Sequence, residues 1–230
     1  MEENTFYLAV ETKDRDDCEY LSKTFDVIND PKNPMKGAVG KVYQVCSKAT
    51  RNCNFVLKVI TFVPEIYNLT GEDSKSWSYT KKAWSREVRI LKKLNRCQVK
   101  LGYKFVPEVY DAWFCKNSNP QKSTLYILME KFDGNLMNFI KKYKSVPLVK
   151  IAAIMTLNSL DKDLHIIHTT CNVCLNDIKL ENILYKQIGE YEYQFVFADT
   201  GNSSEEITQK CKDDDQMKFR RTVDAFKDGL

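Results

Sequence analysis

Three polar residues at short intervals could carry chemistry: Asp177, Lys179 and Asn182, which lie just before the strand-like run Ile-Leu-Tyr. A carboxylate can orient an attacking hydroxyl, and a lysine can neutralise charge that develops on a transferred phosphoryl group. An amide oxygen can bind a divalent ion. A charged loop with a capping asparagine is the alternative. The spacing favours a catalytic loop for phosphoryl transfer.

A second carboxylate ends an apolar run. Asp199 follows Phe-Val-Phe-Ala and precedes Thr200 and Gly201. A carboxylate at the end of a strand beside a flexible glycine suits a magnesium ligand. An ordinary Asp-x-Gly turn is the alternative.

Lys58 is a lone cation in the apolar strand-like run Phe-Val-Leu-Lys-Val-Ile, and Glu87 lies in the helix-like segment that follows. A buried lysine needs a counter-charge. If the two meet, Lys58 can be held toward phosphate oxygens. The alternative is a lysine on the exposed side of an edge strand.

A glycine-containing turn lies between two strand-like runs, with Gly37, Gly40 and Val42 in Met-Lys-Gly-Ala-Val-Gly-Lys-Val. Without Cβ atoms, backbone N–H groups could approach a phosphate. By itself this pattern is weak and fits a simple hairpin better, because most such glycines merely close hairpins.

A further strand ends in Met-Glu-Lys-Phe, so Glu130 and Phe132 could offer backbone donors and acceptors to the edge of an adenine. A connecting strand with no ligand is the alternative.

The elements that must position these residues change type along the chain. β-Branched and aromatic runs predict strands over 40–46, 54–63, 105–114 and 124–130, and apolar residues at helical spacing predict an amphipathic helix over 81–95. Helices are predicted over 136–143 and 146–168, with Pro147 in the first turn of the latter. Short strands follow near 181–185 and 193–199. The polar, acidic stretch 202–215 predicts a mobile loop.

In this order the five features resemble the eukaryotic-type protein kinase family, over roughly Phe25 to Gly201. The resemblance implies an α+β fold with two lobes within a single domain spanning 1–230. The β-rich N-lobe would cover about 20–132 and a shortened helical C-lobe about 135–230. It also implies ATP and magnesium as cofactors and a protein substrate.

The resemblance assigns roles on the nucleotide side. Gly37 and Gly40 match the last two glycines of the family's glycine-rich loop, and Val42 matches the valine over the adenine. Lys58 matches the lysine on the α and β phosphates, with Glu87 as its helix partner.

It also assigns roles on the catalytic side. Asp177 matches the catalytic aspartate, and Lys179 matches the lysine typical of Ser/Thr-type members. Asn182 matches the metal-binding asparagine, while Asp199 and Gly201 match the two ends of the Asp-Phe-Gly motif.

Several positions depart from the family pattern. Met35 replaces the first glycine, Thr200 replaces the phenylalanine of Asp-Phe-Gly, and Leu175-Asn176 replaces the His-Arg before the catalytic aspartate. No Ala-Pro-Glu follows, and Thr-Val-Asp224-Ala-Phe resembles the start of the C-lobe's central helix. This style of divergence is similar to that of kinases of large DNA viruses.

Composition excludes other classes of protein. Hydrophobic residues make up 43% of the 230 residues, which excludes disorder of the whole chain. The formal net charge of +4 is too small to indicate a nucleic-acid partner. The charged clusters at 81–93 and 205–215 are typical of solvated faces.

No run of apolar residues is long enough to cross a bilayer, and the amino terminus is acidic. We therefore expect no membrane partner and a cytoplasmic location, in the host cell or in the virion if the protein is viral.

The eight cysteines are expected to be reduced thiols, because a chain of this size does not need disulfides. The one Cys-x-x-C pair, Cys171 and Cys174, could bind zinc only with further ligands such as His165 and His168. Ordinary thiols are the simpler interpretation.

The leading hypothesis is an ATP-dependent Ser/Thr protein kinase. The alternative is a weak or inactive kinase mimic that binds a kinase or its substrate, and a small-molecule phosphotransferase is a third possibility. The shortened C-lobe also favours an activating or stabilising protein partner. Because Asn176 replaces an arginine and acids crowd the segment after Gly201, we predict no activation by phosphorylation of Ser203, Ser204 or Thr208.

Overall fold

A computed structural model describes residues 13–15, 23–28, 35–37, 40–61, 77–115 and 123–230. The chain divides into two compact units. The first unit comprises Met1–Lys92 with Glu108–Lys131, and the second comprises Lys93–Pro107 with Phe132–Leu230. Residues 93–107 therefore group with the later part of the chain.

The first unit is built on one sheet. Its described strands are β1 (Lys13–Arg15), β2 (Phe25–Val27), β3 (Met35–Gly37), β4 (Gly40–Ser47), β5 (Phe55–Thr61), β6 (Val109–Cys115) and β7 (Thr124–Glu130). Their order is β1-β6-β7-β5-β4-β2, with β3 paired to β4. β1 runs parallel to β6, and the other pairs are antiparallel.

Helix α1 (Trp77–Leu101) is longer than the predicted 81–95. Three of its side chains at helical spacing, Trp84, Val88 and Leu91, are buried against the sheet strands. Trp84 stacks on Phe114 of β6 with ring centroids 5.8 Å apart. Burial of these large apolar surfaces is the main force that fixes the helix on the sheet.

The second unit contains helices and a small sheet. Its elements are β8 (Gly134–Asn135), α2 (Leu136–Tyr143), α3 (Pro147–Thr169), a 3₁₀ turn (Leu180–Asn182), β9 (Ile183–Gln187), β10 (Tyr193–Phe197) and α4 (Gln209–Gly229). The strand order is β10-β9-β8. α2 begins with a reciprocal capping box between Asn135 and Asn138, and Pro147 opens α3 as predicted.

Phe139 of α2 lies at the centre of an aromatic cluster in this unit. Its ring contacts the rings of Tyr185, Tyr193, Phe195 and Phe226 at centroid distances of 4.9 to 5.8 Å. The cluster joins the small sheet to α4, because Phe226 belongs to that helix. No helix among the described residues is long and apolar enough to cross a bilayer.

The predicted loop over 202–215 is wrong from residue 209 onward. α4 begins at Gln209, and the side chain of Thr208 accepts a hydrogen bond from the Cys211 N–H as its cap. Asp215, Phe219 and Val223 recur at helical spacing and are buried. The expected helix start at Thr-Val-Asp224-Ala-Phe is wrong as well, because Asp224 lies inside α4, which begins at Gln209.

The expectation of reduced cysteines is also wrong. The structure contains the disulfides Cys46–Cys53, Cys97–Cys171 and Cys174–Cys211, and Cys115 is disulfide-bonded as well. The second pair joins residues separated by 74 positions. Spacing along the chain does not indicate such proximity, which arises only once the helices are packed.

Candidate active site

Lys58 and Glu87 meet in the first unit. Lys58 lies in the middle of β5, Glu87 lies on α1, and the Lys58 Nζ is 2.8 Å from the Glu87 Oε1. The side chains are only 9% and 5% exposed. Lys58 is therefore not on an exposed strand edge. Its ammonium group is held by a carboxylate in an environment where an uncompensated charge would be costly.

The glycine turn lies at the end of the β3–β4 hairpin. Gly37 is the register partner of Gly40, and Val42 is the register partner of Lys58. A Cβ atom at Gly40 would lie 2.7 Å from the Val59 carbonyl oxygen. Gly40 is thus required by the close approach of β5, whatever else the turn contacts.

Glu130 ends strand β7, and its backbone N–H donates to the Glu108 carbonyl at 2.9 Å. The next N–H, that of Lys131, donates to the Asn54 carbonyl at 3.0 Å. Both donors therefore serve the sheet of the first unit. Phe132 belongs to the second unit, where its ring is buried and has the Lys186 ammonium 5.8 Å from its centroid.

Asp177, Lys179 and Asn182 come together in the second unit around one carboxylate oxygen. The Asp177 Oδ2 accepts hydrogen bonds from the Lys179 Nζ at 2.7 Å and from the Asn182 Nδ2 at 3.0 Å. The Asn202 amide also donates to it at 3.4 Å. The 3₁₀ turn that contains Asn182 makes this possible, because it folds the chain back onto Asp177.

Asp199 is tied to the same region through the backbone. The Ala198 N–H donates to the Asn182 carbonyl at 2.8 Å. Asp199 itself has a φ of +60°, in the left-handed region that non-glycine residues rarely adopt. Such a conformation persists only where the surrounding structure holds it, which is common at functional sites. The neighbouring Thr200 is buried, and its hydroxyl has no hydrogen-bond partner.

The donor set near Asn182 and Asp199 fits a magnesium ion. The amide nitrogen of Asn182 donates to Asp177, so its amide oxygen is not used in that contact. An amide oxygen and a carboxylate are hard oxygen ligands of the kind that Mg²⁺ prefers.

Asp215, which was not predicted from the sequence, organises the loop before Asp177. Its two carboxylate oxygens accept the Leu175 N–H at 2.8 Å and the Asn176 N–H at 2.7 Å, and the His168 Nε2 lies 2.9 Å away. Asp215 is completely buried, although its acidic neighbours made it look like part of a solvated face. The spacing to Phe219 was the signal that could have identified it.

Lys218 and the segment that follows Thr200 also form hydrogen bonds with this loop. The Lys218 Nζ donates to the Asn176 carbonyl at 2.7 Å. Cys174 and Ser204 exchange two backbone hydrogen bonds of 2.8 Å, and the Ser203 hydroxyl donates to the Leu175 carbonyl. Asn176 has a φ of +63°, so these contacts hold the residue before Asp177 in a rare conformation.

The zinc site that Cys171 and Cys174 could form with His165 and His168 is not present in the structure. Cys171 is bonded to Cys97, and Cys174 is bonded to Cys211. His165 is exposed, whereas His168 is buried against Asp215. The Cys-x-x-C pair and the two histidines therefore do not share a site.

A family model described as the protein kinase domain matches residues 36–219, which is most of the chain. The matched range contains the glycine turn, the Lys58–Glu87 pair and the network around Asp177. No curated protein matches the chain.

Proposed function

The chain belongs to the protein kinase family, and from that premise we propose that it transfers the terminal phosphoryl group of ATP to Ser or Thr hydroxyls of a protein substrate. The buried Lys58–Glu87 ion pair carries this proposal. A buried ion pair contributes little to stability relative to apolar packing, so a functional need is the better explanation for its presence. Lys58 would bind phosphate oxygens of ATP, and Glu87 would hold it in position.

The network in the second unit supports the roles of the remaining residues. Asp177 would orient the attacking hydroxyl and accept its proton, and Lys179 would neutralise charge on the transferred group. Their contact of 2.7 Å keeps both groups within reach of one substrate oxygen. Catalysis of this kind depends mainly on positioning and electrostatics, which these residues can supply without the His-Arg pair.

Asn182 and Asp199 would hold magnesium. When bound, the ion neutralises charge on the ATP phosphates. Ala198, the residue before Asp199, donates its N–H to the Asn182 carbonyl, and this hydrogen bond keeps Asn182 and Asp199 in the same local structure. Gly37, Gly40 and Val42 would cover the nucleotide, and the backbone at Glu130 and Phe132 would receive its adenine.

The direct test is phosphate transfer from labelled ATP to the chain itself or to a generic basic protein. We expect Asp177→Asn to lower the rate by about 10²- to 10⁴-fold, the usual contribution of a general base. Asp213→Asn is the matched control, since Asp213 is an exposed acid of α4, and it should leave the rate unchanged. Equal rates for Asp177→Asn and the unmodified chain would contradict the proposal.

Specificity for Ser and Thr needs its own measurement. Lys179 is the residue that supports it, through the resemblance to Ser/Thr-type members. Hydrolysis of the labelled product should release phosphoserine or phosphothreonine, and phosphotyrosine alone would contradict this part of the proposal.

One observation favours a second candidate, a kinase mimic that binds a kinase or its substrate without turnover. The Asp177 Oδ2 already accepts three hydrogen bonds, so this oxygen is occupied by groups of the chain itself and is less available to a substrate hydroxyl. Thermal unfolding with MgATP separates the two functions. A nucleotide at about 100 times its Kd should stabilise a kinase by ~2.7 kcal/mol. No stabilisation, together with tight binding to a protein kinase, would favour the mimic.

The proposed location is the cytoplasm, where ATP is available. In that compartment the disulfides of the structure would be reduced. A stabilising protein partner remains part of the proposal. Copurification of a partner that raises transfer activity would support it, and full activity of the isolated chain would contradict it.

A further inference from the structure

Four potential metal ligands converge behind the loop that leads to Asp177. His168 lies near the end of α3, Cys174 lies in the loop, and Cys211 and Asp215 lie one turn apart on α4. Residues four apart on a helix share one face. The His168 ring nitrogen, the Cys174 Sγ and an Asp215 carboxylate oxygen all lie within 4.8 Å of one another. Cys211 joins them through its bond to the Cys174 sulfur.

The surroundings of this disulfide differ from those of the other described pairs. His168, Cys174 and Asp215 are at most 5% exposed. Among the described residues, this is the only group of three or more histidine, cysteine or acidic side chains close enough to hold an ion. A disulfide needs no histidine or carboxylate beside it, and Cys46–Cys53 and Cys97–Cys171 have no such group. Two thiolates, an imidazole and a carboxylate are, however, a donor set that zinc accepts.

We propose that His168, Cys174, Cys211 and Asp215 bind a zinc-type dication when the Cys174–Cys211 disulfide is reduced. A dithiol reductant supplies two electrons and two protons to the disulfide and is itself oxidised to a disulfide. The metal then displaces the two thiol protons to solvent and bonds to both thiolates, the His168 Nε2 and an Asp215 oxygen.

The geometry needs only small side-chain shifts. Metal–ligand bonds of about 2.0 to 2.3 Å place ligand atoms about 3.3 to 3.8 Å apart in a tetrahedron. The ligand atoms of His168, Cys174 and Asp215 already lie within 4.8 Å of one another, and Cys211 would turn its sulfur from Cys174 toward the metal. His168 would exchange its contact with Asp215 for the metal. Asp215 would still accept the Leu175 and Asn176 N–H groups, and such outer contacts orient a metal-bound carboxylate. Cys211 is partly exposed, which gives metal and reductant access.

The bound metal would cross-link α3, the loop before Asp177 and α4. It is independent of the proposed phosphoryl transfer, because none of its ligands is assigned to ATP or substrate. Metal binding can therefore succeed or fail without deciding whether the chain is a kinase.

The test uses the full chain, reduced with a dithiol and kept without oxygen, and Co²⁺ as a spectroscopic probe for zinc. We expect one Co²⁺ per chain, with thiolate-to-cobalt charge-transfer absorption and the intense visible bands of a tetrahedral site. Cys211→Ser should lower the charge-transfer absorption by about half or more, because one of the two thiolates is removed. Cys53→Ser, the matched change in the disulfide of the first unit, should leave it intact. A wild-type chain with fully reduced thiols and no such absorption would overturn the proposal, as would unchanged absorption in Cys211→Ser.

A second measurement needs no variant and so does not depend on whether a variant folds. Zn²⁺ should slow alkylation of Cys174 and Cys211 at least about tenfold, because a metal-bound thiolate is a poor nucleophile, while Cys46 and Cys53 react as before. Peptide mass spectrometry reports each cysteine separately. Equal alkylation of Cys174 with and without Zn²⁺, or a Cys174–Cys211 disulfide that resists reduction in the folded chain, would also overturn the proposal.

Discussion

The two units hold their charged groups in different ways. In the first unit, Glu87 supplies an opposite charge to the buried Lys58 by direct contact. In the second unit, Asp177 and Asp215 are surrounded by several N–H donors from the backbone and from side chains. The first arrangement contains a direct contact between two full, opposite charges. The second distributes the stabilisation of each carboxylate over many weaker contacts.

This difference predicts how each unit responds to substitution. A single missing partner should be most damaging where one opposite charge dominates. A network should tolerate the loss of an outer donor but not the loss of its central carboxylate. The following changes test that contrast in order of decreasing effect.

The largest effect is expected for Glu87→Ala. This change removes the carboxylate 2.8 Å from the buried Lys58 ammonium, and breaking a buried pair in this way costs about 3 to 5 kcal/mol. Urea unfolding of the full chain measures the cost. The double variant Lys58→Met/Glu87→Leu should recover most of the stability without recovering phosphate transfer. Equal stability of Glu87→Ala and the unmodified chain would show that the pair is not the dominant contact.

The next effect is expected for Asp215→Ala. Two N–H groups of the loop lose their acceptor. The buried Leu175 N–H costs about 1 to 3 kcal/mol and the partly buried Asn176 N–H costs less, so we expect a total near 2 to 4 kcal/mol. Phosphate transfer should also fall, because the loop before Asp177 loosens. Asp213→Ala on the exposed side of α4 should change the stability by less than about 0.5 kcal/mol. Similar losses of stability for Asp215→Ala and Asp213→Ala would show that Asp215 does not organise the loop.

The contrast also explains what the sequence could and could not predict. Lys58 and Glu87 were found because an isolated cation in an apolar strand and an acid at helical spacing are local patterns. The bounds of β7 and α2 followed from local periodicity as well. Asp215 was missed because the acidic run around it looked solvated, and only packing of α4 buries it. The disulfides were missed for the same reason, since their partners are distant in the sequence.

Asp163 offers a third environment, with neither a charge partner nor a network. It is buried on α3, one of its carboxylate oxygens has no hydrogen-bond partner, and the other contact is the Tyr103 hydroxyl. Burial raises the pKa of Asp163 to about 6, and the Tyr103 hydrogen bond opposes this only in part. The folded chain therefore holds the proton more tightly than the unfolded chain between pH ~4 and ~6.

The sign of the pH dependence follows from that pKa. The contribution of Asp163 to the free energy of unfolding should fall by about 2 to 3 kcal/mol as the pH rises through this window. Asp163→Asn should abolish the fall and be the more stable form at pH ~7, while keeping an acceptor for Tyr103. Urea unfolding across the window measures the difference between variant and unmodified chain. Asp161→Asn, which changes an exposed acid on the same helix, is the control. A difference for Asp163→Asn that does not change with pH would refute the prediction.

The smallest effect on activity is expected from removing the hydroxyls of Ser203, Ser204 and Thr208. Ser203 is completely buried and donates to the Leu175 carbonyl, and Thr208 caps α4. The hydroxyl of Ser204 accepts the Glu206 N–H. These hydroxyls already serve the fold, and a phosphate on Ser203 would have to be buried.

The triple variant Ser203→Ala/Ser204→Ala/Thr208→Ala should therefore lose stability but not activity. The lost cap alone costs about 1 kcal/mol of stability. Phosphate transfer measured well below the unfolding temperature should stay nearly unchanged, because the Cys174–Ser204 backbone pairing and the Asp215 contacts hold the loop without these side chains. Thr208→Ala alone controls for the cap. A tenfold fall in the transfer rate of the triple variant corresponds to ~1.4 kcal/mol of barrier. If Thr208→Ala alone does not cause this fall, a hydroxyl at Ser203 or Ser204 acts on catalysis, as a phosphorylation switch would require.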